Sequence, residues 1–344
     1  LISIKEIENK INNIPVDVEF AIDSKDNLNI FQIRPISTKK KWKKLNINNL
    51  SLAIYRNQKK LISINKKNKF FGDFMIFGLM PDWNPVEMIG YQPDALSYSL
   101  YKKLITDDVW SKSRALMGYK NVNRPLMYNI AGKPFIDARL SFYSFLPNKI
   151  SHVLAKKLVN FWSKNLISKP YLHDKIEFEI ADGSFDSNTS SKIKKKYNFL
   201  NKYEKTQYKK ELKNFTNLKI LNYNFHFKDL NKKLLILENK RIKFVNNFKK
   251  QNTFQQFKSI KNEINNLKNL GIIPFSIYAR YAFIGKKFLI SLKHNKLIRE
   301  KTYFNLINSI DSIATEYIKI KNRSENSEKF KKKFDNYFFH LRPG

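Results

Sequence analysis

Cysteine is absent from the 344-residue chain. That excludes a disulfide framework and any thiolate nucleophile or ligand, and leaves redox compartment undetermined by cysteine usage. Glycine is scarce, at 9 residues, while Lys, Asn and Ile are in excess throughout. No uncharged apolar run approaches the roughly 18 residues of a membrane span, and the N-terminus does not follow the pattern of a signal peptide. A soluble, cytoplasmic protein is the expectation. Acidic residues are also few, 29 against 65 Lys plus Arg, for a formal charge of +36. Such an imbalance ordinarily points to nucleic acid or an anionic surface. Here the basic residues are spread along every segment and form no single stripe, and a positive field equally favours ATP and phosphorylated substrates.

What is present is best organised around residues 15–36, PVDVEFAIDSKDNLNIFQIRPI. Val16, Val18, Phe20 and Ile22 alternate with Asp17, Glu19, Ala21 and Asp23, the period of a strand with one buried face. A polar cluster, Ser24 to Asn27, separates it from a second strand, Leu28 to Arg34. With those four residues as the loop, Asp23 faces Leu28, Phe20 faces Phe31, Val18 faces Ile33, Glu19 faces Gln32 and Asp17 faces Arg34. One face is apolar and destined for a core. The other gathers a carboxylate, an amide and a guanidinium, equipment for holding a divalent cation through oxygen and for forking onto phosphoryl oxygens. The same alternation also suits a merely decorated edge hairpin.

D-V-E-F, an acidic turn and F-Q-I-R-P resemble the closing hairpin of the ATP-grasp nucleotide domain in the pyruvate phosphate dikinase and phosphoenolpyruvate synthase family. The resemblance implies that Glu19 and Gln32 sit by magnesium-bound phosphates of ATP and that Arg34 contacts the phosphoryl group in transfer, with Asp17 matching the pattern in a less defined role. It implies ATP and Mg2+ as cofactors, a nucleotide-binding half preceding Leu1, and a phosphohistidine domain downstream.

Residues 1–14, with Ile2, Ile4, Ile7, Ile11 and Ile14, predict a helix feeding the hairpin. The run Lys39 to Lys44 reads as a solvated linker, and Leu50, Ala53, Ile54, Leu61 and Ile62 as a connecting helix. In residues 77–110, Pro81, Pro85 and Pro93 forbid one continuous helix, so Met80 to Gln92 is expected as a turn-rich loop projecting Asp82, Asn84 and Glu87, with Trp83 and Met88 beside them. Helices are expected from Asp94 and from Thr106, the latter with Asp107 and Asp108 in its first turn. Residues 125–146 read as a hairpin turning at Ala131-Gly132-Lys133-Pro134, with Asp137 and Arg139 paired on one face of a strand running from Phe135 to Tyr143. Ile176, Phe178 and Ile180 alternate with Glu177 and Glu179 as a further strand, its two carboxylates either a metal-binding pair or a solvated face.

Downstream there is no proline between Pro170 and Pro274. Thr253 and Gln256 suggest a capping box, Phe275 to Leu292 a buried helix, and Tyr303 to Tyr317 an amphipathic one. M-P-D-W-N-P-V-E-M-I-G, P-L-M-Y-N-I-A-G-K-P-F-I-D-A-R, L-H-D-K-I-E-F-E-I and H-L-R-P-G resemble a subgroup of phosphoenolpyruvate-synthase-like proteins. By likeness to the rifampin phosphotransferase architecture, this region would bind the phosphoryl acceptor, with Asp82, Asn84, Glu87, Asp137 and Arg139 as candidate pocket residues. None of His152, His173, His226, His294 and His340 lies in a phosphohistidine-type motif.

The expected fold is α+β and mostly helical: the C-terminal hairpin of an ATP-grasp domain (1–38), a linker and connecting helix (39–69), and a mainly helical acceptor-binding domain with short hairpins (70–344). The function expected is part of an ATP-dependent phosphotransferase passing its phosphoryl group through a histidine on another domain. A basic helical module binding nucleic acid or another anionic partner is the alternative, and salt dependence separates the two.

Overall fold

The structure, a computed structural model, describes residues 2–12, 14–35, 47–310 and 315–316. The charge run at Lys39 to Lys44, His340 with its motif, and the C-terminal part of the helix expected up to Tyr317 lie outside the described residues. The chain is mostly helical with small antiparallel sheets. It divides into two compact units, one of Leu1–Ile47 with Lys301–Gly344 and one of Asn48–Glu300. The divisions therefore fall at 47/48 and at 300/301, the second within the stretch expected as one domain over 70–344. The stretch expected to connect two domains instead belongs largely to the larger unit, as helix α2 (Ile47–Asn68).

In the smaller unit, helix α1 (Ile2–Lys10) precedes strands β1 (Val16–Ile22) and β2 (Leu28–Pro35), and Glu8 Oε1 accepts from the Val16 amide at 3.2 Å. The pairings Asp17–Arg34, Val18–Ile33 and Glu19–Gln32 are as the alternation predicts. Beyond Glu19 a β-bulge shifts the register, so Phe20 faces Ile30 and Ile22 faces Leu28. The expected Phe20–Phe31 and Asp23–Leu28 pairs do not form. Asp23 closes the loop instead, accepting from the Lys25 amide at 2.8 Å and the Asn27 amide at 2.9 Å, a side-chain turn that removes one residue from the strand. The apolar face is not a core: Phe31 is 71% exposed and Phe20 53%.

The larger unit holds the core. Strands β3 (Phe77–Gly78), β4 (Met127–Ile130) and β5 (Lys133–Asp137) form an antiparallel sheet in the order β3-β5-β4. The β4–β5 turn is the two residues Ala131 and Gly132, both at positive φ, the geometry matched to strand twist. The strand expected to run to Tyr143 stops at Asp137, whose carboxylate accepts from the Arg139 amide and caps helix α6 (Ala138–Ser144). Every residue of α6 is buried. A segment enclosed on all sides carries no amphipathic signal, which is why alternation misreads it.

Around α6 pack α5 (Val109–Leu116) and α7 (His152–Ser168). Further helices follow: α8 (Thr189–Lys196), α9 (Lys202–Phe248), α10 (Thr253–Asn266) and α11 (Ile273–His294). Helix α9 has 47 residues, about 70 Å at 1.5 Å per residue. Capping boxes start α9 at Asn201 with Glu204 and α10 at Asn252 with Gln255, one residue before the Thr253–Gln256 pair expected. Residues Ile176–Ile180 form a π-helical turn, not a strand. Among the described residues no helix is long and apolar enough to cross a membrane.

Arg139 and Asp137 are both fully buried and joined through Arg139 Nε and Nη2 at 2.9–3.0 Å. Arg139 Nη1 reaches Asn65 of α2 at 2.8 Å, and the buried Asn68 donates to Asp137 at 3.1 Å. The pair thus ties α2 to the sheet and α6. Removing one buried partner strands the other charge, so Arg139→Met should lower unfolding free energy by about 3 kcal/mol or more, read from urea denaturation. A loss within the scatter of surface substitutions would leave the pair without that role.

Candidate functional site

On the hairpin, the expected acid, amide and guanidinium do meet. Arg34 Nη2 lies 3.1 Å from Glu19 Oε1 and also donates to Gln32 Oε1. Antiparallel pairing of Glu19 with Gln32 and Asp17 with Arg34 puts all three on one ribbon face. Both charged side chains are more than half exposed. An ion pair in that setting is worth about 0–1 kcal/mol, so a phosphate competing for Arg34 and a cation competing for Glu19 displace it at little expense. The donors offered to a metal, a carboxylate and an amide oxygen, are the hard oxygens Mg2+ takes, in a number that suits an ion held mainly by phosphates and water. Among the described residues no three His, Asp or Glu are grouped so that they could hold a metal ion, so neither this face nor Glu177 with Glu179 is a protein-only metal cage.

The second region lies in the larger unit. Between Pro81 and helix α3 (Pro85–Ile89), Asp82, Trp83 and Asn84 take φ of 53°, 57° and 36°, three consecutive non-glycine residues in left-handed conformation. Each such residue costs of order 1–3 kcal/mol and persists only where its surroundings over-determine it. The surroundings here are specific. Asp82 is buried and receives Arg114 Nη1 at 2.8 Å, Arg114 Nη2 at 2.5 Å and Ser141 Oγ at 2.8 Å. The Trp83 carbonyl accepts from the Tyr101 hydroxyl at the end of α4 (Ala95–Tyr101), which Asp94 caps by accepting from the Ser97 amide at 2.9 Å. Asn84 donates to Glu87 at 3.1 Å. A Cβ on Gly78 would fall 2.7 Å from the Pro81 ring, so glycine lets the loop fold back on β3.

Asp82, Asn84 and Glu87 line one cleft of about 570 Å³, together with Asp174, Glu177 and Phe275 among others, a size suited to a small molecule. Asp137 and Arg139 do not line it. Their expected place in an acceptor pocket is corrected by their complete burial in the core pair described above. Asp107 and Asp108 precede α5 and do not fall within its first turn.

Sequence reasoning missed the groups that hold the cleft. Arg114 comes from α5, Ser141 and Ser144 from α6, and Arg280 from α11. Helix α11 is not the uniformly buried helix expected. It turns Ser276, Arg280 and Ser291 inward, while Phe275 is 62% exposed. Both guanidinium carbons lie within 5 Å of the Phe145 ring centre, Arg114 at 4.7 Å and Arg280 at 4.8 Å. Arg280 faces Glu177 at 3.5 Å. Burial raises the Glu177 carboxyl above the ordinary carboxylate range against the pull of Arg280, and burial, helped by Arg114, lowers the Arg280 guanidinium. An inward arginine on an apolar helix at most hints at such a partner.

Burial pushes the Tyr101 phenol above its usual value, with the Asp82 charge adding to the effect. A phenol raised on folding contributes stability that is complete below the unfolded value of about 10 and lost as pH rises through the folded one. Tyr101→Phe should therefore cost about 1 kcal/mol at neutral pH and flatten the alkaline decline of the urea midpoint. An unchanged alkaline limb would mean that Tyr101 does not hold the loop. Comparison with protein-family models, with curated proteins and with solved structures finds no match for the chain.

Proposed function

We propose that the chain is part of an ATP-dependent phosphotransferase of the phosphoenolpyruvate synthase and pyruvate phosphate dikinase type. The observation that carries this reading is the meeting of Glu19, Gln32 and Arg34 on one hairpin face, in the two half-motifs D-V-E-F and F-Q-I-R-P that resemble that family's nucleotide hairpin. Phosphoryl transfer needs mainly positioning and charge neutralisation. Glu19 and Gln32 supply oxygen donors for Mg2+ on the nucleotide phosphates, and Arg34 turns its fork from them to the phosphoryl oxygens. When bound, Mg2+ offsets the negative charge of the phosphates. The exposed apolar back of the hairpin suits a ribbon covered by the remainder of a nucleotide domain. The acceptor is assigned to the cleft of the larger unit, whose Pro-bracketed loop belongs to the second set of resembling motifs.

In the full-length protein, Arg34→Ala is expected to lower ATP-dependent phosphorylation by about a hundredfold or more with unchanged circular dichroism. Arg34→Lys, which keeps the charge and loses the fork, should recover little of it. Phosphorylation at an undiminished rate in Arg34→Ala would overturn the reading.

A further inference from the structure

A buried charge is tolerated when it is both paired and hydrogen-bonded, and one guanidinium of the larger unit is only partly provided for. Arg280 is 7% exposed, yet among the described residues its N–H groups find no hydrogen-bond acceptor. Glu177 stands off at 3.5 Å, beyond the range of about 2.7–3.2 Å in which an N–H donates well. The Phe145 and Phe283 ring centres lie 4.8 and 4.6 Å from the guanidinium carbon. They offset part of the charge and leave the donors unmet.

The Arg280 nitrogens, unlike Arg114 Nε, are not sealed within protein, and the residue lines a cavity of about 20 Å³ together with Tyr119, Ser184 and Lys287. Tyr119 is 5% exposed and Ser184 6%, and neither hydroxyl makes a hydrogen bond among the described residues. Burial raises the Tyr119 phenol against the pull of Arg280 and Arg114, which keeps it a neutral O–H donor at ordinary pH. Lys287 Nζ donates to the carbonyls of Glu177 at 3.0 Å and Ala181 at 2.8 Å, and an ammonium has a third N–H to give. Buried polar groups are nearly always paired, so three unpaired ones around one small space point to an acceptor from outside the chain.

Charge and size say what that acceptor is. Glu177 shares the wall, but one carboxylate stands against two cations. The neighbouring acids are already matched: Asp182 by Lys196 at 3.3 Å, Asp186 by Lys192 at 2.7 Å, and Asp82 by Arg114. One positive charge is left over. A water needs at least about 10–15 Å³, so the space holds one particle of roughly atomic size and cannot enclose a phosphate or sulfate. We infer that Arg280, Lys287, Tyr119 and Ser184 form a binding site for a single monovalent anion of halide size, chloride in ordinary solution. The ion accepts from the unmet donors and ties helix α11 to Tyr119 and to the segment that follows Ile176–Ile180. This binding is independent of whether the hairpin handles ATP.

The test replaces gluconate by chloride at fixed ionic strength in the full-length protein and follows urea unfolding. For a dissociation constant on the order of 10 mM, going from about 1 to about 100 mM chloride should raise the folded-to-unfolded ratio about tenfold. The double variant Tyr119→Phe/Ser184→Ala removes two hydroxyls that no protein group uses. It should unfold like the parent in gluconate and lose most of the response to chloride. Crystals grown in bromide locate the ion directly, with an anomalous peak expected beside the Arg280 guanidinium, and they decide the matter should the variant fail to fold. No response to chloride, a response that persists in a folded double variant as diffuse binding to surface lysines would, or a bromide crystal without an anomalous peak beside Arg280, where a water then serves, would each overturn the inference.

Discussion

The larger unit depends on the buried pairing of Asp82 with Arg114. Neither side chain is more than a few per cent exposed, and a bidentate contact of this kind is what makes such burial tolerable. Its effect is geometric more than cohesive. Replacing a buried ion pair by well-packed apolar groups is often neutral for stability, but no apolar group could hold a carboxylate-bearing turn in left-handed backbone against helices α5 and α6. Ser144 accepts from Arg114 at 2.7 Å and donates to the Ser141 carbonyl at 2.7 Å, so the central helix is fixed by the same network that shapes the cleft.

A second buried pair, Asp137 with Arg139, does comparable work on the other side of α6. Two positions apart on α6, Arg139 and Ser141 reach different neighbours: Arg139 engages α2 through Asn65, while Ser141 engages the loop through Asp82. A helix with no exposed residue thereby acts as a hub, its polar groups all directed at particular partners, and buried polar networks that are largely satisfied specify a single arrangement.

Legibility in the sequence followed how far the deciding interactions were local. The hairpin face could be read because strand alternation and a short polar loop place Glu19, Gln32 and Arg34 without reference to the rest of the chain. Of the loop expected over Met80 to Gln92, the part from Pro81 to Pro85 was readable for the same reason, as proline restricts its own backbone and its neighbour's, but helix α3 (Pro85–Ile89) occupies the middle of that stretch. The bulge after Glu19 was not, because it follows from how Asp23 closes the turn. Helix α6 was misread because burial on every side erases periodicity, and Asp137, which looked like a strand residue, is its cap. Arg114 and Arg280 had no signal of their own: their partners lie 32 and 103 residues away in sequence, and only the fold brings them together. Charge was the least informative feature, since a surplus of lysine along the whole chain concealed a cleft of the other sign.

The turn at Asp82–Asn84 is tethered at its first residue by a guanidinium, at its second by a phenol and at its third by the neighbouring glutamate. Backbone anchored so closely cannot swing aside as a lid, because opening would leave Arg114 in the interior without its counter-charge. Access to the cleft is then a matter of side-chain rotation at its border, where Met88 and Phe275 are 67% and 62% exposed. Such rotations are fast, so entry to the cleft does not wait for the chain to move.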